Sequence, residues 1–195
     1  MELKQINSLV ELFFKKYEEK KSFKNEPFLK WLKIKKNNFL TWEKVKNDIV
    51  ILSEYLKKNL ITGDRCVLLS ENRPEWLISD IAIMNAGGVT VPLFTTYSDK
   101  DYEYIIKDCK PKICIVSNNS QYQKIEKFIS KETIVLSFEN FDQKILNFQN
   151  ILNEDYKKSN NNSYSYNQKI KRKNLACIIY TSGTTGNPKG VMLSH

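Results

Sequence analysis

Five short apolar runs limit what this chain can fold into. They are Arg65–Ser70, Val89–Leu93, Lys112–Val116, Thr133–Ser137 and Leu175–Tyr180, and each is continuously apolar at its centre. A strand with one wet face alternates apolar and polar residues, whereas a continuous run marks a strand buried on both faces. Between the first four runs and after the last of them lie segments with helical spacing: 72–86, 98–108, 121–129 and 141–152. Strand–helix alternation with doubly buried strands predicts an α/β fold, a mostly parallel sheet with helices on both faces.

The remaining segments follow from local signals. Ile6, Leu9, Val10, Phe13, Phe14 and Tyr17 recur at three- and four-residue spacing and predict an amphipathic helix. Its basic, Phe-bearing character suits a membrane surface, but one apolar face docked on its own domain is the simpler expectation. Phe28–Ile34 and Phe39–Leu40 read as short strands, and Thr41 as the N-cap of a helix carrying Trp42, Val45, Ile49, Leu52 and Leu56 on one face. Pro74 suits a helix first turn, and Gly87-Gly88 ends that helix. Pro92 places the strand 89–93 at a sheet edge, or itself at the strand's end. Ser98 and Asp101 have the spacing of a capping box. Residues 153–174 lack periodicity and read as a solvated connection.

Charge and cysteine usage exclude several functions. The formal charge is +9, but arginine occurs only at Arg65, Arg73 and Arg172, so the excess is lysine. A lysine-biased composition raises net charge without building the arginine and aromatic platforms of a nucleic-acid site, so no nucleic-acid partner is expected. Cys66, Cys109, Cys114 and Cys177 form no C-x-x-C pair, and the one histidine is His195, which argues against zinc. His195 itself reads as a solvent-facing or helix-start residue. No signal-peptide core follows Met1, and the longest apolar candidate for a span, Trp76 to Phe94, is broken by Asp80, Asn85, two glycines and Pro92. A cytoplasmic protein is expected.

The chemistry is concentrated in Tyr180–His195, Y-T-S-G-T-T-G-N-P-K-G-V-M-L-S-H. Three of the six glycines, Gly183, Gly186 and Gly190, fall here, with hydroxyls on Thr181, Ser182, Thr184 and Thr185 and a cation on Lys189. Glycines admit close backbone approach, N–H groups and hydroxyls donate to phosphate oxygens, and a lysine neutralises their charge. Spacing removes two nucleotide loops. The position five after Gly183 is Pro188 and no Gly-Lys pair occurs, so this is not G-x-x-x-x-G-K-[ST]. Gly183 is followed at plus two by Thr185, which excludes G-x-G-x-x-G. No G-x-S-x-G elbow is present.

The string T-S-G-T-T-G-x-P-K-G resembles the phosphate loop of the adenylate-forming (AMP-binding) superfamily. Thr41-Trp42-Glu43, Gly63-Asp64-Arg65-Cys66-Val67, Asn72-Arg73-Pro74-Glu75-Trp76, Asn85-Ala86-Gly87-Gly88-Val89 and Val91-Pro92-Leu93 are similar, in order, to stretches of its long-chain fatty acyl-CoA synthetase branch. The resemblance implies the large N-terminal domain of such an enzyme and a two-step ligation. ATP and a fatty acid give an acyl-adenylate and pyrophosphate, and CoA then displaces AMP. It implies that Thr181, Ser182, Gly183, Thr184, Thr185 and Gly186 wrap the ATP β- and γ-phosphates. Thr181 lies nearest Mg²⁺, and Lys189 takes the pyrophosphate charge as the catalytic cation. Peripheral membrane contact and a homodimer of the full-length form are further expectations of this kind.

The family's adenine, ribose, hinge and C-terminal lysine motifs are not among residues 1–195. The expectation is an incomplete AMP-binding domain, inactive alone, with Val191-Met192-Leu193 exposed at a sheet edge. The competing readings are a non-catalytic remnant or split-subunit piece, and an adenylating enzyme for another carboxylic acid.

Overall fold

A computed structural model describes residues 6–33, 36–158, 166–181 and 187–195. It begins with α1 (Leu9–Glu19), a hairpin of β1 (Pro27–Lys33) and β2 (Lys36–Thr41), and α2 (Trp42–Lys57). There follow β3 (Arg65–Leu69), α3 (Pro74–Asn85), β4 (Val89–Leu93), α4 (Asp99–Cys109), β5 (Ile113–Val116), α5 (Asn119–Ile125) and β6 (Ile134–Ser137). The last elements are β7 (Leu146–Asn147), α6 (Phe148–Lys158), β8 (Leu175–Thr181) and β9 (Lys189–Ser194).

Among the described residues the main sheet has the order β7-β6-β5-β3-β4-β8-β9 and is parallel except for the last pair. Its continuous apolar runs face two separate cores. Cys66 and Leu68 of β3, Ile113 and Ile115 of β5 and Leu136 of β6 point to one side, against α1, α2, α3 and α6. Val67, Leu69, Val91, Leu93, Cys114 and Val116 point to the other, against α4 and α5. Each fully buried aliphatic side chain here contributes about 1.5–3 kcal/mol of transfer free energy. The cysteines are free, and burial pushes the Cys66, Cys109 and Cys114 thiols up, so they serve as core residues rather than thiolates.

The family-like stretches upstream have structural work. Thr41 Oγ1 accepts from the Lys44 N–H at 3.2 Å, starting α2. Trp42 packs on Phe28 and Phe13, with ring centroids 4.0 and 6.0 Å away, tying the hairpin to α1. Arg65 Nε donates to the Cys109 carbonyl at 2.7 Å, placing a cation on the C-terminal end of α4. Arg73 bridges Glu75 (3.2 Å) and Glu139 (2.8 Å), joining the start of α3 to the end of β6. Gly87 has φ +87°, a left-handed conformation that turns α3 into β4. The capping box forms: Ser98 Oγ accepts from Asp101 N–H at 3.3 Å, and the Asp101 carboxylate accepts from Ser98 N–H at 3.1 Å.

Three expectations need correction, and a fourth is decided between its two alternatives. β4 is interior, between β3 and β8, so Pro92 marks the strand's end and not a sheet edge. It is tolerated one residue from the strand's end, because β4 pairs with β8 at Thr90↔Cys177 and the ladder goes no further. Residues 141–147 are not helical: Leu146–Asn147 form the edge strand β7, and Asn147 Oδ1 accepts from the Gln149 and Asn150 N–H groups (2.9 and 3.3 Å), so the helix begins at Phe148. α5 covers Asn119–Ile125, capped by Asn118, and is shorter than the spacing at 121–129 implied. The stretch 153–174 is not wholly solvated, since α6 runs to Lys158 and Ile170 is buried in the core.

Asn85 holds this last stretch in place. It is 1% exposed, donates from Nδ2 to Ser53 Oγ at 3.1 Å and accepts the Asn167 N–H at 2.9 Å. Asn85→Ala removes both bonds and leaves the Asn167 N–H without this acceptor, while Ser53 Oγ keeps its bond to the Ile49 carbonyl, and is expected to cost about 1–3 kcal/mol in urea unfolding. Amide exchange at Asn167 should speed up with it.

Candidate functional site

Because β8 runs parallel to β4, its C-terminal end lies at the carboxyl edge of the parallel sheet. That is where α/β sheets of this kind place their ligands. β9 then returns antiparallel to β8, so Tyr180–Gly190 is a hairpin whose mouth is closed by Tyr180↔Gly190 and Thr181↔Lys189. Residues opposite each other in an antiparallel pair share a face, with Cβ atoms about 4.5–5.5 Å apart. The hydroxyl of Thr181 and the cation of Lys189 therefore flank the loop's mouth from its two strands. Both are exposed. Among the described residues no carboxylate pairs with Lys189. The other expected phosphate ligands, Ser182, Gly183, Thr184, Thr185 and Gly186, lie outside the described residues.

The strand below the mouth is fixed by Tyr180, which is 3% exposed. Its ring lies across Gly190: a Cβ there would sit 2.9 Å from Ile178 Cγ2 and 3.2 Å from Tyr180 Cζ. Gly190 is thus required for close approach. The Tyr180 hydroxyl donates to Asp108 Oδ2 on α4. Burial and this carboxylate push the phenol above its usual range, so it remains a donor. The Tyr180 carbonyl accepts from Tyr97 Oη at 2.9 Å. The expected site residues carry none of this support. Tyr97 and Asp108 were not legible as site residues, because their partners lie 83 and 72 positions away.

β9 is exposed along its length, with Val191, Met192 and Leu193 at 44%, 72% and 42%. His195 follows it and is half-buried. Its N–H donates to the Asn174 carbonyl at 3.2 Å, and burial lowers the imidazole's affinity for a proton. Among the described residues no cluster of three His, Cys, Asp or Glu side chains could hold a metal. Mg²⁺ is commonly held by one or two carboxylates together with substrate phosphates; the protein oxygen described at this mouth is the exposed Thr181 hydroxyl.

A two-faced, mostly parallel α/β sheet with a hydroxyl-rich hairpin at its carboxyl edge is the architecture of the adenylate-forming enzymes. The fold matches a red-emitting luciferase from Phrixothrix hirtus with TM-score 0.81 at 18% identity, over 97% of this chain and 37% of that one. It matches the anthranilate CoA ligase AuaEII, in complex with anthranoyl-AMP, with TM-score 0.75 at 23% identity over 92% and 34%. ATP-bound MatB from Rhodopseudomonas palustris matches with TM-score 0.69 at 26% identity over 97% and 35%.

The chain belongs to the AMP-binding enzyme family, whose profile matches residues 16–195. It is 32% identical over 155 residues to fatty acyl-CoA synthetase A of Dictyostelium discoideum, covering 73% of this chain and 22% of that protein. It is 35% identical over 138 residues to the long-chain-fatty-acid–CoA ligase ACSBG2 of Xenopus laevis, covering 66% and 18%. The chain thus spans about a fifth of the length of these curated relatives. Among the described residues no helix is long and apolar enough to cross a membrane.

Gly190→Ala tests the packing at the hairpin. The added methyl overpacks Ile178 and Tyr180 and is expected to destabilise the protein by about 1–3 kcal/mol in denaturant titration. In an Ile178→Ala background, which has no Cγ2 to meet the new methyl, the further loss caused by Gly190→Ala should be smaller.

Proposed function

We propose that this protein, in its full-length form, is a long-chain fatty acid–CoA ligase. It couples ATP and a fatty acid to an acyl-adenylate with release of pyrophosphate, and then transfers the acyl group to CoA. One observation carries the proposal: the strand register that sets Lys189 opposite Thr181 at the mouth of a glycine- and hydroxyl-rich loop on the sheet's carboxyl edge. The names of the relatives above support the choice of a fatty acid.

In this scheme Thr181 to Gly186 cradle the β- and γ-phosphates and Lys189 holds the departing pyrophosphate. When the fatty carboxylate attacks the α-phosphorus, negative charge grows on the bridging oxygen of the leaving group. A cation and donors already aimed there stabilise the transition state more than the ground state. Mg²⁺ arriving with ATP would neutralise further phosphate charge, with the Thr181 hydroxyl as its protein contact. Lysine supplies a compact point charge that can follow pyrophosphate outward on its flexible stem.

Lys189→Ala in the full-length protein is expected to slow acyl-adenylate formation by about 10²–10³-fold, the usual cost of losing one preorganised oxyanion partner. Acyl-CoA release from preformed adenylate should change little. The two half-reactions are separated by rapid quench, and equal slowing of both would remove Lys189 from the pyrophosphate role.

A further inference from the structure

Tyr180 is held at three points, all outside the glycine loop. Its ring is pressed against Gly190, its hydroxyl donates to Asp108 on α4, and its carbonyl accepts from Tyr97 Oη at 2.9 Å. The third contact makes good a gap in the sheet. Pairing between β4 and β8 occurs at Thr90↔Cys177. The Tyr180 carbonyl lies beyond that pairing and takes the Tyr97 hydroxyl instead.

Tyr97 is itself braced. Its ring makes edge-on contacts with Phe94 and Tyr102, at centroid distances of 5.3 and 6.0 Å. Tyr102 Oη donates to the Phe94 carbonyl at 2.8 Å, and Lys124 Nζ on α5 donates to the Thr95 carbonyl at 2.6 Å. The turn after β4 is therefore bonded to both helices of that face. From it a single hydroxyl reaches the residue immediately before Thr181.

We propose that Tyr97, Asp108 and Tyr180 form a positioning frame that fixes the base of the phosphate loop and so sets the Thr181–Lys189 pair for reaction at ATP. The proposal rests on the phosphate-binding function given above. Thr181 and Lys189 are exposed residues at the ends of their strands, so contacts further back on those strands have to fix them. Donors that act on developing charge lose much of their effect when displaced by about 1 Å. The frame supplies rigidity from the sheet and α4 without occupying ligand space. Tyr97 and Asp108 are positioning residues and touch no reacting atom.

The test uses Tyr97→Phe, Tyr180→Phe, Asp108→Ala and Asp108→Asn in the full-length protein. The two phenylalanine variants keep the rings and lose only hydroxyls. Each is expected to lower kcat for acyl-adenylate formation by about tenfold, within the range a small misplacement produces. The KM for fatty acid should hold within about twofold, because only loop alignment is disturbed. The double variant should be little worse than either single one, as members of one unit are not additive. Asp108→Asn, which keeps an oxygen to accept from Tyr180, should recover most of the rate lost in Asp108→Ala.

Amide exchange in the same variants, without ligand, should rise at residues 180–181 and 189–190 and stay unchanged in β3 and β5. A general loss of stability would raise it everywhere. Wild-type rates and wild-type exchange in both phenylalanine variants would overturn the frame. If the wild-type protein forms no acyl-adenylate, the proposed function fails, and the exchange pattern still decides whether the frame holds the loop's base.

Discussion

Water reaches neither face of β3. Cys66 and Leu68 are packed against one layer of helices, and Val67 and Leu69 against the other. The architecture follows from that double burial. Parallel neighbours on both sides require crossover connections, and the crossovers become the helices that cover the faces. The strands must then be apolar throughout, and polar chemistry is pushed to the sheet's carboxyl edge. The loop after β8 opens at that edge.

The antiparallel return of β9 departs from this general arrangement. A parallel continuation would carry the chain away from β8 into a helix. A hairpin brings Lys189 back opposite Thr181, so a hydroxyl from one strand and a cation from the other meet across the loop. Gly190 serves the same end by a different means, leaving room for the Tyr180 ring that ties the hairpin to α4. The glycine of P-K-G thus serves packing, while the lysine beside it is exposed.

Much of this was legible in the sequence where the signal is local. Continuous apolar runs gave the two-faced sheet, Thr41 and the Ser98–Asp101 pair gave helix starts, and the T-S-G-T-T-G-x-P-K-G string gave the family and the candidate site. What escaped depends on distance or on competition. Asn147 is as good a cap as Thr41, but the apolar residues before it, Phe141, Ile145 and Leu146, mimic helical spacing and obscured the boundary. Pro92 left an edge strand and a strand's end open, because the choice depends on a neighbouring ladder that stops at Thr90↔Cys177. Tyr97 and Asp108 have no local pattern at all; they matter because the fold brings them to Tyr180.

The central claim is that the hairpin between Thr181 and Lys189 receives the phosphates of ATP. A crystal structure of the full-length protein with MgATP tests it most directly. The account predicts the β- and γ-phosphates in the hairpin, with Lys189 Nζ on a γ-phosphate oxygen and Thr181 Oγ1 facing the metal. ATP phosphates bound elsewhere, with Lys189 left in solvent, would contradict it.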